Sequence, residues 1–294
     1  RGINREGMRG VTQREVEGAC LELLRRASTR LPPDVKAALR RALRSERDPI
    51  ARVNLEAVLE NVEVAEREGL PLCQDTGLPL FYFRMRPSPE LDPGKAAARA
   101  VRRATEEGIL RPNTVHPLSR KNPGDNLGRG MPLVRFLPPD GEGMEITVML
   151  KGAGAENVSR TAMLTPEEGV EGLREFAVRT VVEAGGKPCP PVIVGVGVGG
   201  TAEVSMELAK LALLRPLPRR HPEAPLRRLE GELEREINRR GSGPMGLGGR
   251  TTCLGVKVEY AHTHTASLPV SVNLQCWAAR RASVRMEGGE WEWR

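Results

Sequence analysis

Residues 192–200 read Val-Ile-Val-Gly-Val-Gly-Val-Gly-Gly, and they narrow the fold more than any other stretch. A run that is β-branched at most positions has no polar face, so it suits a strand covered on both sides. Residues 202–214 follow at once with a helical pattern, and glycines in a strand allow a helix backbone to approach closely. The same glycines match the G-x-G-x-x-G spacing of dinucleotide-binding turns. That motif also needs a second parallel strand ending in an acidic residue. Here Arg215-Pro216-Leu217-Pro218-Arg219-Arg220-His221-Pro222 follows, which is not strand-like, and then another helix over about 226–239. Tight helix–strand packing is therefore the better account of the glycines, and a nicotinamide site is set aside.

The class this implies is α/β: a helical N-terminal region followed by a mixed sheet with packed helices. Residues 12–68 carry three helical patterns. The third starts at Pro49, with proline at a first helical position, and closes at Gly69 as a C-cap. A strand is expected from Leu80 to Met85 and a helix over 88–107. Two alternating runs, Leu133–Leu137 and Met144–Leu150, flank Asp140-Gly141 and read as a β-hairpin. A helix over 166–184 and strands over 251–260 and 268–274 complete the pattern. One domain is expected over 1–294, with a helical part at 1–70 and an α/β part at 71–287 carrying the chemistry. The chain opens on Arg1, which is no initiator, and Met8 is a candidate start. Trp291 to Arg294 fits no element, and His221 and His262 receive no role.

Composition excludes several classes. The net charge of +7 is spread among acids rather than clustered, and aromatics are only 3%. Neither an electrostatic footprint nor stacking platforms for nucleic acid are present. No apolar run is long enough to span a bilayer, and the charged start is not a signal peptide. Five cysteines without framework spacing favour a reducing cytoplasm.

Cys20 and Cys253 lie within helix and strand patterns and read as core. Cys73, Cys189 and Cys276 each stand where a regular element meets a turn. Cys73 opens Cys73-Gln74-Asp75-Thr76-Gly77, which places a thiol, an amide and a carboxylate side by side. Cys189 stands among Pro188, Pro190 and Pro191, which fix the backbone. About a hundred residues separate the three, so no local zinc pattern exists. Three thiolates suit a [4Fe-4S] cluster with one open iron, since a structural zinc or a closed cluster takes four. Three unrelated buried thiols remain the plain alternative. Between Arg111 and Gly130 lies a long polar stretch with Asn113, His116, Arg120, Lys121 and Asp125, which reads as a binding loop. Lys151-Gly152-Ala153-Gly154 reads equally as a tight turn or as a close backbone approach to a ligand.

Four blocks, taken in order, resemble one known family. They are Cys73-Gln74-Asp75-Thr76-Gly77, Lys151-Gly152-Ala153-Gly154, Cys189-Pro190-Pro191 with the strand after it, and Cys276. The chain is similar from about Val11 to Ala282 to the class I, iron–sulfur hydro-lyases, which comprise class I fumarases and tartrate dehydratases. Its length resembles the separate α subunit of the two-subunit forms. The resemblance implies that Cys73, Cys189 and Cys276 hold a [4Fe-4S] cluster and that Asp75 is the general acid. It further implies that Gln74, Arg111, Gly152 and His264 bind the dicarboxylate substrate. A threonine base would come from a β subunit, in an α2β2 assembly, so the chain alone would be inactive. The reaction implied is reversible hydration of fumarate to (S)-malate, with L(+)-tartrate dehydration the near alternative and a non-catalytic iron–sulfur subunit a remote one. Ala155-Glu156-Asn157 resembles the fumarase form. Ala153 departs from the family's middle glycine, and Pro112 from a frequent tyrosine.

Overall fold

The computed structural model describes residues 11–141 and 143–294, so the candidate start at Met8 lies outside the described residues. In chain order the elements are α1 (Gln13–Thr29), α2 (Pro33–Ser45), α3 (Pro49–Glu68), β1 (Leu78–Arg84), α4 (Pro93–Glu106), β2 (Leu133–Leu137), β3 (Met144–Lys151) and a single turn, α5 (Ala153–Glu156). They continue with β4 (Arg160–Leu164), α6 (Gly169–Ala184), β5 (Val192–Val198), α7 (Ala202–Ala212), α8 (Ala224–Arg240), β6 (Cys253–Tyr260), β7 (Leu268–Gln275), β8 (Arg281–Glu287) and β9 (Glu290–Trp293). Helices and mixed sheets together make the expected α/β class. The local signals place the helix ends well. Thr12 caps α1 in a reciprocal box, its hydroxyl accepting from the Glu15 N–H while the Glu15 carboxylate accepts from the Thr12 N–H. Gly69, at φ +67, ends α3 in the left-handed conformation that glycine tolerates.

The chain divides into two compact units. The first comprises residues up to Leu31, Val64–Lys151 and Arg280–Arg294. Its sheet has the order β2-β1-β3-β8-β9. Here the expected hairpin is corrected. Strand β1 lies between β2 and β3, parallel to the first with Leu80 opposite Leu133, and antiparallel to the second with Leu80 opposite Met149. The physical reason is burial. Phe81 and Phe83 of β1 are fully buried, whereas Arg135 and Phe136 of β2 are exposed. The strand with the most buried residues takes an interior place, and the one that leaves Arg135 and Phe136 exposed becomes an edge. Val16, Cys20, Leu23 and Leu24 of α1 join Phe81, Ile146 and Val148 in one core. The C-terminal residues, unassigned from sequence, form β9. Its Trp291 and Trp293 pack against that core, and the Arg26 guanidinium lies 4.4 Å from the Trp293 ring centre.

The second unit comprises Pro32–Glu63 and Gly152–Ala279. Its sheet has the order β4-β7-β5-β6, with β5 parallel to β6 and antiparallel to β7. The period of two decides its faces. Val192, Val194 and Val196 join Phe176 of α6 and Leu233 and Ile237 of α8 in a core. Gly195 and Gly197 point the other way, where α7 packs. A Cβ on Gly195 would stand 2.0 Å from the Ala209 carbonyl oxygen, and one on Gly197 1.9 Å from that of Ser205. Helix–strand contact thus accounts for the glycines. One step of the sequence argument is corrected: a parallel strand does follow, β6, but only after both α7 and α8. Its Glu259 carboxylate accepts a hydrogen bond from Arg215 Nε at 3.1 Å. The proline-rich connection between those helices is tied down from within, because buried Lys257 Nζ donates to the Leu217 and Arg219 carbonyls at 2.7 and 2.9 Å.

Candidate active site

The five cysteines divide by environment. Cys20 and Cys253 are buried, and burial pushes both thiols far above their usual range, helped by Glu17 at the first and Glu234 at the second. They are inert core groups. Cys73, Cys189 and Cys276 are only partly buried, as thiols that meet a ligand must be.

In the first unit, the turn after α3 carries Cys73, Gln74 and Asp75. Leu72 anchors it, its N–H donating to the Ser28 carbonyl at 2.8 Å. Gly77 closes it at φ +81, where a Cβ would stand 2.9 Å from the Lys151 nitrogen. Only glycine fits there. The Asp75 carboxylate accepts from the Gly77 N–H at 2.9 Å and from Asn113 Nδ2 at 3.4 Å. Thr76 Oγ1 accepts from the Arg111 N–H at 3.0 Å. The structure therefore holds the Arg111 backbone at the Asp75 turn and leaves its side chain exposed.

What pins Arg111 there is a residue the sequence reading missed. Asn126 is fully buried at φ +59. Its Oδ1 accepts from the Asn113 and Thr114 N–H groups at 2.7 and 3.1 Å, and its Nδ2 donates to the Arg111 carbonyl at 2.8 Å. The long polar loop folds around this one amide. A signal existed, since Asn tolerates left-handed backbone and often bridges turns, but nothing in the sequence says which of several asparagines takes that place.

In the second unit, Cys189 precedes β5 and Cys276 follows β7, at the same end of this antiparallel pair, where Ile193 faces Gln275. The two segments are stitched together by the Trp277 N–H donating to the Cys189 carbonyl at 3.2 Å. Cys189 is held at φ +53, a sparsely populated conformation for a side chain with a Cβ. Gly152 and Gly154 lie at this end too: a Cβ on Gly154 would stand 2.8 Å from the Lys187 carbonyl oxygen. Ala153 between them is exposed, which explains why this departure from glycine is tolerated. Behind the loop, Glu156 is bonded by Lys210 Nζ at 2.5 Å and by Asn273 Nδ2 at 3.0 Å, and Asn273 also donates to Ser159 at 2.7 Å. Lys210 and Asn273 were not marked from sequence.

His264 is not brought to the cysteine end. It precedes β7, whereas Cys276 follows it, and the eight-residue strand spans roughly 24 Å. Its Nδ1 accepts from the Ala266 N–H at 3.1 Å, which leaves Nε2 to carry the proton in the neutral ring.

Among the described residues no group of three His, Cys, Asp or Glu side chains is arranged around a single ion. A cluster of several irons makes a different demand, because each thiolate binds its own iron. The donor chemistry fits that demand: three accessible thiols on braced turns, set apart from two buried ones.

Comparison with known proteins then decides the family. The fumarate hydratase (Fumerase) family model matches residues 17–285. The chain belongs to that family. Within the family it is 44% identical over 279 residues to a Methanocaldococcus jannaschii protein named "Putative L(+)-tartrate dehydratase subunit alpha", covering 93% of this chain and 98% of the relative. It is 34% identical over 260 residues to the L(+)-tartrate dehydratase subunit alpha of Escherichia coli K12, covering 87% and 86%. Against a Geobacillus stearothermophilus protein named "Putative fumarate hydratase class I" it is 37% identical over 276 residues, covering 90% of this chain and 54% of the relative. The Fumerase-family chain is thus a hydro-lyase, matched nearly end to end by proteins named as subunits. No helix among the described residues is long and apolar enough to cross a membrane.

Proposed function

We propose that this chain is the α subunit of an iron–sulfur hydro-lyase that interconverts fumarate and (S)-malate together with a β subunit. The observation that carries the reading is the division of the cysteines into two buried core thiols and three partly exposed ones on braced turns. A [4Fe-4S] group held by Cys73, Cys189 and Cys276 would supply a Lewis-acidic iron for the hydroxyl that enters or leaves.

The chain's own residues do the rest. Exposed Arg111, on a segment fixed by Asn126 and Thr76, offers a planar fork to one substrate carboxylate. Asp75, on the turn locked by Gly77, holds or delivers the proton of the hydroxyl. Gln74, exposed beside it, offers an amide, and Gly152 offers backbone at a loop set by Glu156. His264, at the other end of β7 from Cys276, keeps the substrate-binding role that the resemblance implies, as a part of this proposal. The coverage of relatives named as α subunits supports a partner subunit, from which the remaining groups come, and an α2β2 assembly in the cytoplasm is the form we propose.

L(+)-tartrate dehydration is the second reading, favoured by the names of several relatives. Both acids present two carboxylates and a hydroxyl, so the same Arg111 and Asp75 serve either. The test is anaerobic reconstitution with the β subunit, followed by turnover of malate and tartrate and a count of iron. About four irons per chain with preferential malate turnover supports the first reading, and preferential tartrate turnover supports the second. Absence of iron uptake refutes both.

A further inference from the structure

Four residues beyond Cys276, the side chain of Arg280 is 2% exposed, among the largest fully buried side chains in the molecule. Its carbonyl accepts from the Leu150 N–H at 3.0 Å, which fixes its backbone next to β3 in the first unit. Its guanidinium Nη1 donates to the backbone carbonyl of Asp75, and its Nε–H finds no acceptor. Among the described residues no carboxylate pairs with it. A guanidinium keeps its charge at every working pH, and a buried charge is retained only against a compensating anion or full hydrogen bonding. Neither is supplied by the groups around Arg280.

We propose that Arg280 is a positioning residue whose charge balances an anion at the Cys73–Asp75 turn, and that this anion is the iron–sulfur group with its thiolates. The inference rests on the reading of the site given above. Two anions could serve there, the cluster or the dicarboxylate, and burial favours the first. A substrate arrives from solvent, and Arg111, exposed on the neighbouring segment, is the cation available to it. Arg280 is enclosed and bonded to the turn that carries Cys73, which suits a resident group. It acts through that turn and touches no reacting atom.

The test separates charge from hydrogen bond. R280Q keeps an N–H donor for the Asp75 carbonyl but removes the charge, while R280K keeps the charge. Each is reconstituted with the β subunit. Iron release to a chelator, melting with and without cluster, and KM for the dicarboxylate are then measured. R280Q is expected to lose iron roughly 10–100-fold faster than wild type, with R280K closer to wild type, KM changed less than about twofold, and cluster-free melting unchanged or raised. Equal loss of melting temperature with and without cluster would reduce Arg280 to a brace and overturn the proposal. Normal iron retention with a raised KM would transfer the charge to the substrate and also overturn it. A wild-type chain that takes up no iron sinks the underlying reading. A wild type that loads, with R280Q matching it in every measurement, sinks this inference alone.

Discussion

Replacing Gly197 by alanine places one methyl group where α7 meets β5, and the structure sets the cost. The new Cβ would stand 1.9 Å from the Ser205 carbonyl oxygen, 2.6 Å from the Ala209 nitrogen and 2.9 Å from Leu208 Cβ. The first two are helix backbone and cannot rotate away. Ordinary contact begins at 3.4 Å, so α7 must retreat by 3.4 − 1.9 = 1.5 Å along that line. Fully buried Ala209 and Ala212 lose their close packing in the process, because a gap of that size forfeits much of the dispersion attraction. The expected loss is at the upper end for an overpacked core, about 3 kcal/mol, or roughly 6–12 °C in melting temperature for a unit of this size. Gly231 supplies the control. It lies within α8, and a Cβ there would meet only the end of the Arg235 side chain, at 3.4 Å. Gly231→Ala is expected to gain about 1 kcal/mol from helix propensity. Thermal melting of both variants beside wild type reads the sign directly. If Gly197→Ala melts with wild type, α7 is not seated on these glycines, and the phosphate-binding alternative for the Gly195–Gly200 spacing has to be reopened.

Substituting Cys73, Cys189 or Cys276 by serine should abolish stable iron uptake, measured as iron and sulfide per chain. Cys20→Ala and Cys253→Ala should bind iron normally, melt lower by about 1–3 kcal/mol, and account for the two thiols that react slowly with alkylating reagents in the native protein. Burial lowers the Lys257 ammonium to about 8, below the usual value near 10.4. The unfolded chain therefore binds more protons between those two pH values, and wild type should gain stability relative to Lys257→Met as pH rises from 8 to 10. Denaturant unfolding across that window would contradict the assignment if the difference stayed flat. Asn126→Ala removes the partners of the Asn113 and Thr114 N–H groups and of the Arg111 carbonyl. It should cost about 2–3 kcal/mol and raise KM for the dicarboxylate more than it lowers kcat. Glu156→Gln, which leaves the Lys210 ammonium without its carboxylate, should also raise KM while iron content holds. A parallel loss of iron would show that the Gly152 loop supports the cluster instead.

The sequence carried the elements whose causes are local. Pro49 and Gly69 bound α3 because a missing N–H and a left-handed backbone are properties of single residues. The all-apolar stretch at β5 and its glycines pointed to a layered fold, since covering both faces is what such a strand requires. Pairing was less legible. Asp140-Gly141 looks like a hairpin turn, but β2 and β3 are separated by β1, because burying Phe81 and Phe83 outweighs sequence proximity. Strand β9 had a period-2 signal in Trp291 and Trp293, hidden by the glutamates between them. In the candidate site, cysteines at element junctions were readable as distinct from those within elements. The supports were not. Asn126, Lys210, Asn273 and Arg280 act through tertiary contacts, which no local pattern announces.

The first unit is assembled from three separate stretches of chain, and its sheet needs β8 and β9. On the ribosome these strands emerge only after residues 152–279. Strand β3 must therefore wait, with the edge that will take β8 unpaired, while the whole of Gly152–Ala279 is synthesised. Contacts between residues so far apart in sequence form slowly and leave exposed edges in the interval. The residue that leads β8 into place is Arg280, which bonds to the turn bearing Cys73. Pairing of β8 and the Arg280 contact to that turn thus form together, so a nascent chain lacks this one brace on its first cysteine turn until β8 has been translated.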